Sequence, residues 1–243
     1  MSGFIYGLNP VRELLRRRPK EVEQVLIGRK EQGIEEIIEL AKSVRAQIKL
    51  VTRGELDQIT QTREHQGIAA KASLPQAVAL EDILKKVTSK PEALILFLDQ
   101  IEDPQNLGAI ARSAECADAD ALVIPERRSA GITPASLKAS AGALEWVPFS
   151  IITNLSRALE QTKEAGFWSY AAQASAKENI WQTKFSKKSA ILIGSEGKGI
   201  RPLVQRTCDF QISIPLFGKI QSLNASVSAA IMLYEYRRQF PAT

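Results

Sequence analysis

Short apolar runs that alternate with helical patterns constrain the fold of this chain more than any other feature. Residues 93–98 and 190–193 are apolar at every position. A strand of this kind has to be covered on both faces, as in a mostly parallel sheet with helices on each side. We predict strands at 94–98, 121–124, 147–152, 167–171, 190–193 and 211–214, and helices at 107–117, 134–141, 155–165 and 223–239. The C-terminal part is therefore predicted to be an α/β domain.

A change of pattern between residues 75 and 90 indicates a domain boundary. Before it, helical patterns at 10–18, 34–46 and 54–59 and strand patterns at 22–27, 48–51 and 66–72 predict a small α/β unit. We therefore predict an N-terminal domain at 1–74, a linker at 75–90 and a second domain at 91–243. A length of 243 residues suits two domains.

The composition excludes several classes of function. The chain has two cysteines and one histidine, His65, so neither a disulfide framework nor a zinc site is expected. A Ser-His-Asp triad would depend on His65 alone. No apolar run approaches the roughly 18 residues of a membrane span, and the N-terminus shows no signal-peptide pattern. We expect a cytoplasmic protein with no metal and no membrane partner.

The formal net charge of +5 permits an anionic partner such as RNA. The densest basic cluster lies in the N-terminal domain and consists of Arg16, Arg17, Arg18 and Lys20. From charge alone, a solvated helix end explains this cluster equally well.

Three segments that follow predicted strands carry polar residues that packing does not require. The first contains Asn106 and Arg112, after the strand at 94–98. Asn106 suits a helix N-cap, and an arginine on a helix surface is usually solvated. The third segment follows Pro215, and there Ser222 suits the N-cap of the last helix. Small residues on that helix permit close packing, within the fold or against a second subunit.

The second segment is a glycine-rich loop after the strand at 190–193. Gly194, Gly197 and Gly199 give the spacing G-x-x-G-x-G, which matches neither a Walker loop nor the dinucleotide fingerprint. A dinucleotide-binding oxidoreductase is therefore disfavoured. The glycines indicate a close approach of the backbone to a ligand, although a tight turn would also explain them. Glu196 inside the loop is unsuited to a phosphate cradle, since a carboxylate repels phosphate.

Together, the three segments resemble the signatures of the SpoU, or TrmH-like, branch of the SPOUT RNA methyltransferases. The family motifs are N-x-G-x-x-x-R, G-x-E-G-x-G, and I-P followed by S-L-N-x-S, and they span roughly residues 94–240. The matching residues are Asn106, Gly108 and Arg112 in the first motif, Gly194, Glu196, Gly197 and Gly199 in the second, and Ile214, Pro215, Ser222, Leu223, Asn224 and Ser226 in the third.

This resemblance implies a deep trefoil knot, a homodimer and S-adenosylmethionine as the cofactor. The catalytic residues that it implies are Asn106, Arg112, Glu196, Ser222 and Asn224. The cofactor-binding residues that it implies are Gly194, Glu196, Gly197, Gly199, Ile214, Pro215, Leu223 and Ser226. Because a guanidinium is effectively always protonated, we expect Arg112 to hold phosphate or developing alkoxide charge rather than to act as a base.

The N-terminal residues 6–11 and 65–69 resemble the RNA substrate-binding domain of the same branch. The resemblance therefore implies that the arginine-rich cluster contacts RNA, and that the substrate is a guanosine of 23S rRNA methylated at its ribose 2′-hydroxyl. Two alternatives stay open. One is a tRNA ribose 2′-O-methyltransferase, and the other is a non-catalytic RNA-binding or ribosome-assembly factor on the same fold.

Overall fold

The structure is a computed structural model that describes residues 2–28 and 33–241. In chain order its elements are β1 (Ser2–Tyr6), α1 (Leu8–Arg17), β2 (Gln24–Ile27), α2 (Ile34–Ser43), β3 (Gln47–Leu50), α3 (Arg53–Thr60), β4 (Ile68–Ser73), α4 (Leu80–Thr88), β5 (Ala93–Asp99), α5 (Pro104–Cys116), β6 (Ala121–Pro125), α6 (Pro134–Ala139), β7 (Phe149–Ile152), α7 (Leu155–Glu164), β8 (Trp168–Ala172), β9 (Glu178–Asn179), β10 (Lys188–Gly194), α8 (Pro202–Thr207), β11 (Phe210–Ser213) and α9 (Ala225–Gln239). One-turn 3-10 helices lie at Pro19–Glu21 and Ala143–Glu145.

The chain divides into two compact units. Unit 1 comprises Met1–Gln76 together with Ile132–Trp146, and unit 2 comprises Ala77–Gly131 together with Val147–Thr243. The stretch 75–90, expected as a linker, contains α4. The apolar face of α4 contributes Leu80, Ile83, Leu84 and Val87 to the core of unit 2.

Unit 1 is built on a four-stranded sheet of order β1-β4-β2-β3. Strand β4 pairs antiparallel with β1 and β2, whereas β3 pairs parallel with β2. Helix α1 buries Val11, Leu14 and Leu15, which the i, i+3, i+4 spacing places on one face. The edge strand β1 is an addition that the sequence analysis does not predict.

Residues 132–146 complete unit 1 although they lie far downstream. The side chain of Glu145 is fully buried, and its carboxylate accepts Arg18 Nε at 2.7 Å and Arg18 Nη2 at 2.9 Å. Trp146 Nε1 donates to Glu13 Oε2 at 2.9 Å. Gly142 has φ +90°, and a Cβ there would lie 2.8 Å from Glu13 Cγ. These contacts make the downstream segment an integral part of the unit.

Unit 2 contains a seven-stranded, wholly parallel sheet of order β7-β6-β5-β10-β8-β11-β9. The two apolar runs form neighbouring strands, in register from Ala93 opposite Lys188 to Asp99 opposite Gly194. The predicted α/β fold class is therefore confirmed. Because parallel strands end at a common edge, the loops after β5, β10 and β11 leave the sheet on the same side.

The N-caps of α5 and α9 are not the residues that the sequence predicts. Helix α5 begins at Pro104, and Asp103 is its N-cap, since Asp103 Oδ1 accepts the backbone N–H of Gln105 at 2.9 Å. A proline at the first helical position is pre-organised for this start. The interpretation of Asn106 as an N-cap is therefore wrong. Asn224, not Ser222, is the N-cap of α9.

The single histidine has a local structural role. His65 is buried, its Nε2 lies 2.8 Å from Asp57 Oδ1, and its Nδ1 accepts the N–H of Gly67 at 3.0 Å. Within residues 2–28 and 33–241, no helix is long and apolar enough to cross a membrane. In the same part of the chain, no group of three or more His, Cys, Asp or Glu side chains is placed to hold a metal ion.

Candidate functional site

The glycine-rich loop after β10 folds back sharply on itself. The N–H of Gly199 donates to the carbonyl oxygen of Ser195 at 2.9 Å, and Gly199 has φ +63°. A Cβ on Gly194 would overlap the carbonyl group of Gly199 and lie 2.5 Å from Ile200 N. No residue other than glycine fits position 194 without moving backbone. Gly194 thus serves the closure of the loop itself, and the closed loop presents Glu196.

An ion pair between a buried carboxylate and a partly exposed arginine fixes the end of this loop to β5. Asp99 is fully buried, and its Oδ1 and Oδ2 accept Arg201 Nε and the Arg201 backbone N–H, each at 2.8 Å. Next to it, Gln100 has φ +61°, and its Nε2 donates to the carbonyl oxygen of Gly199 at 3.3 Å. None of these three residues is among the site residues predicted from the sequence. The available signal was a carboxylate that ends an otherwise apolar strand.

Asn106, Glu196 and Asn224, one from each sequence motif, form a hydrogen-bonded cluster centred on the Glu196 carboxylate. Glu196 Oε1 accepts Asn106 Nδ2 at 3.2 Å, the backbone N–H of Ala225 at 3.4 Å, and Asn224 Nδ2. Asn224 Nδ2 also donates to Asn106 Oδ1 at 2.8 Å. Glu196 Oε2 has no hydrogen-bond partner among the described residues. The cluster therefore holds the carboxylate in place and leaves one oxygen free for a ligand.

Asn224 holds its position in this cluster because it also caps α9. Its Oδ1 accepts the backbone N–H groups of Ser226 at 2.8 Å and Val227 at 3.3 Å, which satisfies donors that the helix start would otherwise leave unpaired. One amide thus joins the start of a helix to the carboxylate. A substitution here is expected to disturb both.

Two cavities adjoin the cluster. The first has a volume of about 480 Å³ and is lined by residues from segments 172–174, 193–205, 214–216 and 221–228. The second has a volume of about 340 Å³ and is lined by residues from segments 100–106 and 195–198 together with Ala225. The first volume lies in the range of small-molecule and cofactor sites. Its lining combines apolar side chains with loop backbone, and Glu196 and Lys198 are its only charged residues among those described.

Most of the predicted cofactor-binding residues line the first cavity. The lining members of that set are Gly194, Glu196, Gly197, Gly199, Ile214 and Leu223. Ser222, predicted as catalytic, is exposed and also lines this cavity. Pro215 and Ser226 do not line it, and Ser226 instead takes part in the start of α9.

Arg112 lies apart from the cluster in the single chain. It is exposed on α5, six residues after Asn106, so at about 100° per residue the two side chains leave different faces of the helix. Among the described residues, Arg112 forms no hydrogen bond or ion pair with Asn106, Glu196 or Asn224. Glu196 is thus held by two amides rather than by this guanidinium.

The basic cluster of unit 1 is partly committed to the fold. Arg18 pairs with Glu145 and Glu21; burial alone would lower the pKa of Arg18, but these carboxylates outweigh it and raise the pKa. Arg16 pairs with Glu13 and Glu36 at 3.0 and 3.2 Å. Arg17 and Lys20 are exposed and form no ion pair within the described part of the chain. Arg17 instead lies over the Trp146 ring at 5.3 Å.

The sequence matches two family models in the order that the motifs suggest. A model described as the SpoU rRNA Methylase family matches residues 93–234. A model described as RNA 2'-O ribose methyltransferase substrate binding matches residues 4–78.

Full-length relatives carry names of the same kind. The chain is 41% identical over 241 residues to the Bacillus subtilis protein YacO, whose name assigns it to the TrmH family of tRNA/rRNA methyltransferases, covering 98% of this chain and 96% of the relative. It is 37% identical over 240 residues to the 23S rRNA (guanosine-2'-O-)-methyltransferase RlmB of Pseudomonas putida, covering 97% and 96%.

The fold has a counterpart among solved structures. The SpoU methyltransferase AviRb from Streptomyces viridochromogenes, crystallised in complex with AdoMet, superposes with a TM-score of 0.82. The superposition covers 98% of this chain and 90% of the other at 22% sequence identity. At this identity the likeness concerns the fold.

Proposed function

Because this chain belongs to the SpoU rRNA methylase family, we propose that it transfers a methyl group from S-adenosylmethionine to a ribose 2′-hydroxyl of RNA. The observation that carries the proposal is the convergence of Asn106, Glu196 and Asn224 into one hydrogen-bonded cluster between two cavities. A relative of 37% identity named for a 23S rRNA guanosine supports that nucleotide as the substrate.

The first cavity suits S-adenosylmethionine in size and chemistry. Its volume of about 480 Å³, its apolar side chains and its loop backbone groups suit an adenosine held by main-chain contacts. We infer that Gly194, Ile214 and Leu223 supply these contacts. Glu196 would face the cationic part of the cofactor. Bound there, the cofactor supplies a sulfonium methyl group that is already activated for transfer.

We propose that Glu196 binds the ribose hydroxyl and accepts its proton. Asn106 and Asn224 occupy Oε1, so Oε2 is free to accept a hydrogen bond from the hydroxyl. As the bond from the ribose oxygen to the methyl carbon forms and the carbon–sulfur bond breaks, with its electron pair left on sulfur, the attacking oxygen gains positive charge and its proton becomes strongly acidic. An ordinary carboxylate at hydrogen-bond distance is therefore a sufficient acceptor. Ser222 would contribute a further polar contact from the wall of the first cavity.

Arg112 is assigned to the RNA phosphate next to the reacting ribose. Its exposure and its lack of an ion pair in the described structure leave its guanidinium free for a phosphate, which it can bind bidentately. We expect Arg112→Ala to abolish methylation while S-adenosylmethionine binding, measured by calorimetry, stays within about threefold of the wild type, a change of well under 1 kcal/mol. An equal loss of both would contradict the assignment.

We further propose that the C-terminal domain holds a deep trefoil knot, as the family resemblance implies.

We also propose that the protein is a homodimer. Val227 and Tyr234 lie seven residues apart on α9 and are 45% and 53% exposed, while Phe217 in the preceding loop is 94% exposed. Such apolar side chains suit a subunit interface. Helix α5, which carries Arg112, packs against α9, so a dimer through α9 would bring Arg112 close to the partner subunit. Sedimentation velocity tests the dimer.

For unit 1 we propose RNA binding through Arg17 and Lys20, with a smaller share for Arg16. Arg18 is excluded from this role because its guanidinium is committed to Glu145. Each phosphate that is no longer neutralised should reduce the slope of log affinity against log salt by about 0.7 to 0.9. The double variant Arg17→Ala/Lys20→Ala should therefore show a shallower slope and unchanged cofactor affinity. An unchanged slope would contradict the proposal.

The experiment that tests the function is tritium transfer from labelled S-adenosylmethionine to 23S rRNA and, separately, to tRNA. Label in 23S rRNA at a ribose supports the proposal. Label in tRNA alone favours the tRNA methyltransferase alternative. The name of the Bacillus subtilis relative includes both tRNA and rRNA as substrates. No label in either, with RNA binding retained, indicates a non-catalytic RNA-binding factor.

A further inference from the structure

The second cavity shares a wall with the first. Four consecutive residues, Ser195 to Lys198, line both cavities, and so does Ala225. Ligands in the two cavities would therefore meet at Glu196, which is the arrangement that a group transfer between two bound molecules needs. With the methyl donor in the first cavity, the second is left for the nucleotide that accepts the methyl group.

The lining of the second cavity offers many hydrogen-bond acceptors and few donors. Glu102, Asp103 and Glu196 contribute carboxylates, against the single ammonium group of Lys198 in this lining. The amide of Asn106 is engaged at both ends, by Glu196 and by Asn224. A surplus of carboxylates repels phosphate, so the part of a nucleotide that suits this cavity is an uncharged base rich in donors.

Gln100 adds an acceptor from inside the protein. This side chain is only 7% exposed and lines the second cavity. Its Nε2 donates to the carbonyl oxygen of Gly199 at 3.3 Å, which fixes the amide. Its Oε1 has no hydrogen-bond partner among the described residues. This oxygen is accessible from the cavity and can accept a hydrogen bond from a donor on a ligand there.

We propose that the second cavity receives the base of the acceptor nucleotide and selects guanine through the carboxylate of Glu102; this rests on the proposed function. Guanine carries two adjacent donors, N1–H and the N2 amino group, which one carboxylate can accept together. Uracil, cytosine and adenine offer no such pair. Asp103 is less suited, because its Oδ1 caps α5. Glu102 is exposed and has no hydrogen bond or ion pair within the described part of the chain.

The test compares guanosine with inosine, which lacks only the N2 amino group. The methylated position is first mapped in transcribed 23S rRNA, and short synthetic RNAs then carry either nucleoside at that position. Single-turnover rates of the full-length protein should fall about tenfold or more from guanosine to inosine, as expected when one charge-assisted hydrogen bond is removed. Glu102→Gln should slow guanosine methylation about tenfold and bring the two rates to within about twofold, because an amide accepts only one of the two donors.

The matched control is Glu160→Gln, the same change at an exposed position on α7 that lines neither cavity. It should keep the wild-type rate and the wild-type preference for guanosine. Thermal unfolding and S-adenosylmethionine titration of both variants should match the wild type.

Three results would overturn the inference while the proposed function stands. They are an unchanged preference for guanosine in Glu102→Gln, a loss of S-adenosylmethionine affinity equal to the loss of rate, and ribose methylation of a nucleotide other than guanosine. Absence of methyl transfer by the wild type to any RNA would instead remove the proposed function, and the inference with it. The wild-type measurement alone separates these two failures.

Discussion

Two glutamates, one in each unit, show opposite ways of holding a carboxylate. In unit 1 the fully buried Glu145 is neutralised by Arg18, which binds both carboxylate oxygens. In unit 2 the exposed Glu196 is held through one oxygen by two asparagine amides and a backbone N–H, with no cation among the described residues. The first arrangement satisfies the carboxylate completely, while the second keeps its charge and one oxygen available.

This difference separates a structural carboxylate from one that can act on a ligand. Removing one member of a buried ion pair strongly destabilises the protein, because the remaining charge is left without a partner and without solvent. Amides fix the position of a carboxylate without removing its charge. The carboxylate that stabilises the fold and the one that serves chemistry can thus be told apart by their partners.

The largest expected effect is the loss of stability when the ion pair between Glu145 and Arg18 is broken. Arg18→Met leaves the Glu145 carboxylate buried without a cation and should lower the free energy of unfolding by about 3–5 kcal/mol. Urea unfolding followed by circular dichroism measures it. Arg17→Met, at the exposed neighbour that lies over Trp146, should cost no more than about 1 kcal/mol.

The double variant Arg18→Met/Glu145→Met should recover most of that loss, since replacing both members of a buried pair by apolar residues is often neutral. If the single variant is as stable as the wild type, Glu145 does not depend on Arg18 and the comparison fails.

Glu196→Gln is expected to act on rate and not on stability. Loss of a proton acceptor should lower the single-turnover rate by about 10²–10³-fold. Glutamine keeps the shape and one acceptor oxygen, so the asparagine cluster should persist and the unfolding midpoint should match that of Glu160→Gln. A fall in stability comparable to that of Arg18→Met would make Glu196 a structural carboxylate.

Alanine substitutions of glycine test whether the position of Glu196 depends on the backbone of the glycine-rich loop. Gly194→Ala places a Cβ 2.5 Å from Ile200 N and should cost about 1–3 kcal/mol and weaken cofactor binding. Gly54→Ala is the matched control, because a Cβ there meets nothing within 4 Å and this exposed residue of α3 lines neither cavity. Calorimetric titration with S-adenosylmethionine distinguishes the two. Equal behaviour of both variants would mean that the loop is free to rearrange.

The smallest effect is a pH dependence in unit 1. The hydrogen bond from Ser73, and then the charge of Arg18, hold the pKa of Glu21 below its usual value. A lowered carboxyl pKa contributes stability above the unfolded pKa of about 4.3, and this contribution is lost as the pH falls through the folded value. The wild type should unfold at a slightly higher temperature than Glu21→Gln at pH 6, and the gap should close towards pH 3. If the difference in unfolding temperature persists at pH 3, the stabilisation by Glu21 comes from contacts that do not need its charge.

Local patterns predict most of the fold. The apolar runs that become β5 and β10 are visible in the sequence because every position of a doubly covered strand is apolar. The three motifs meet in the structure because parallel strands end at one edge. The start of α5 was also readable, since Asp103 followed by Pro104 is a stronger start signal than Asn106.

Contacts between distant residues were beyond the sequence. Arg18 looks like a member of a basic patch until Glu145, 127 positions later, is seen against it. The pairing of Asp99 with Arg201 across 102 positions is of the same kind. A single sequence carries no periodicity that reports such partners.

The membership of residues 132–146 in unit 1 bears on how the protein can be dissected genetically. A fragment that stops at residue 76 lacks Leu137, Leu144 and Glu145, all of them buried. It would deprive Arg18 of the buried carboxylate of Glu145 and uncover apolar surface on α1. Unit 1 is therefore not one contiguous segment of the chain, and transferring it to another protein would require residues 132–146 as well.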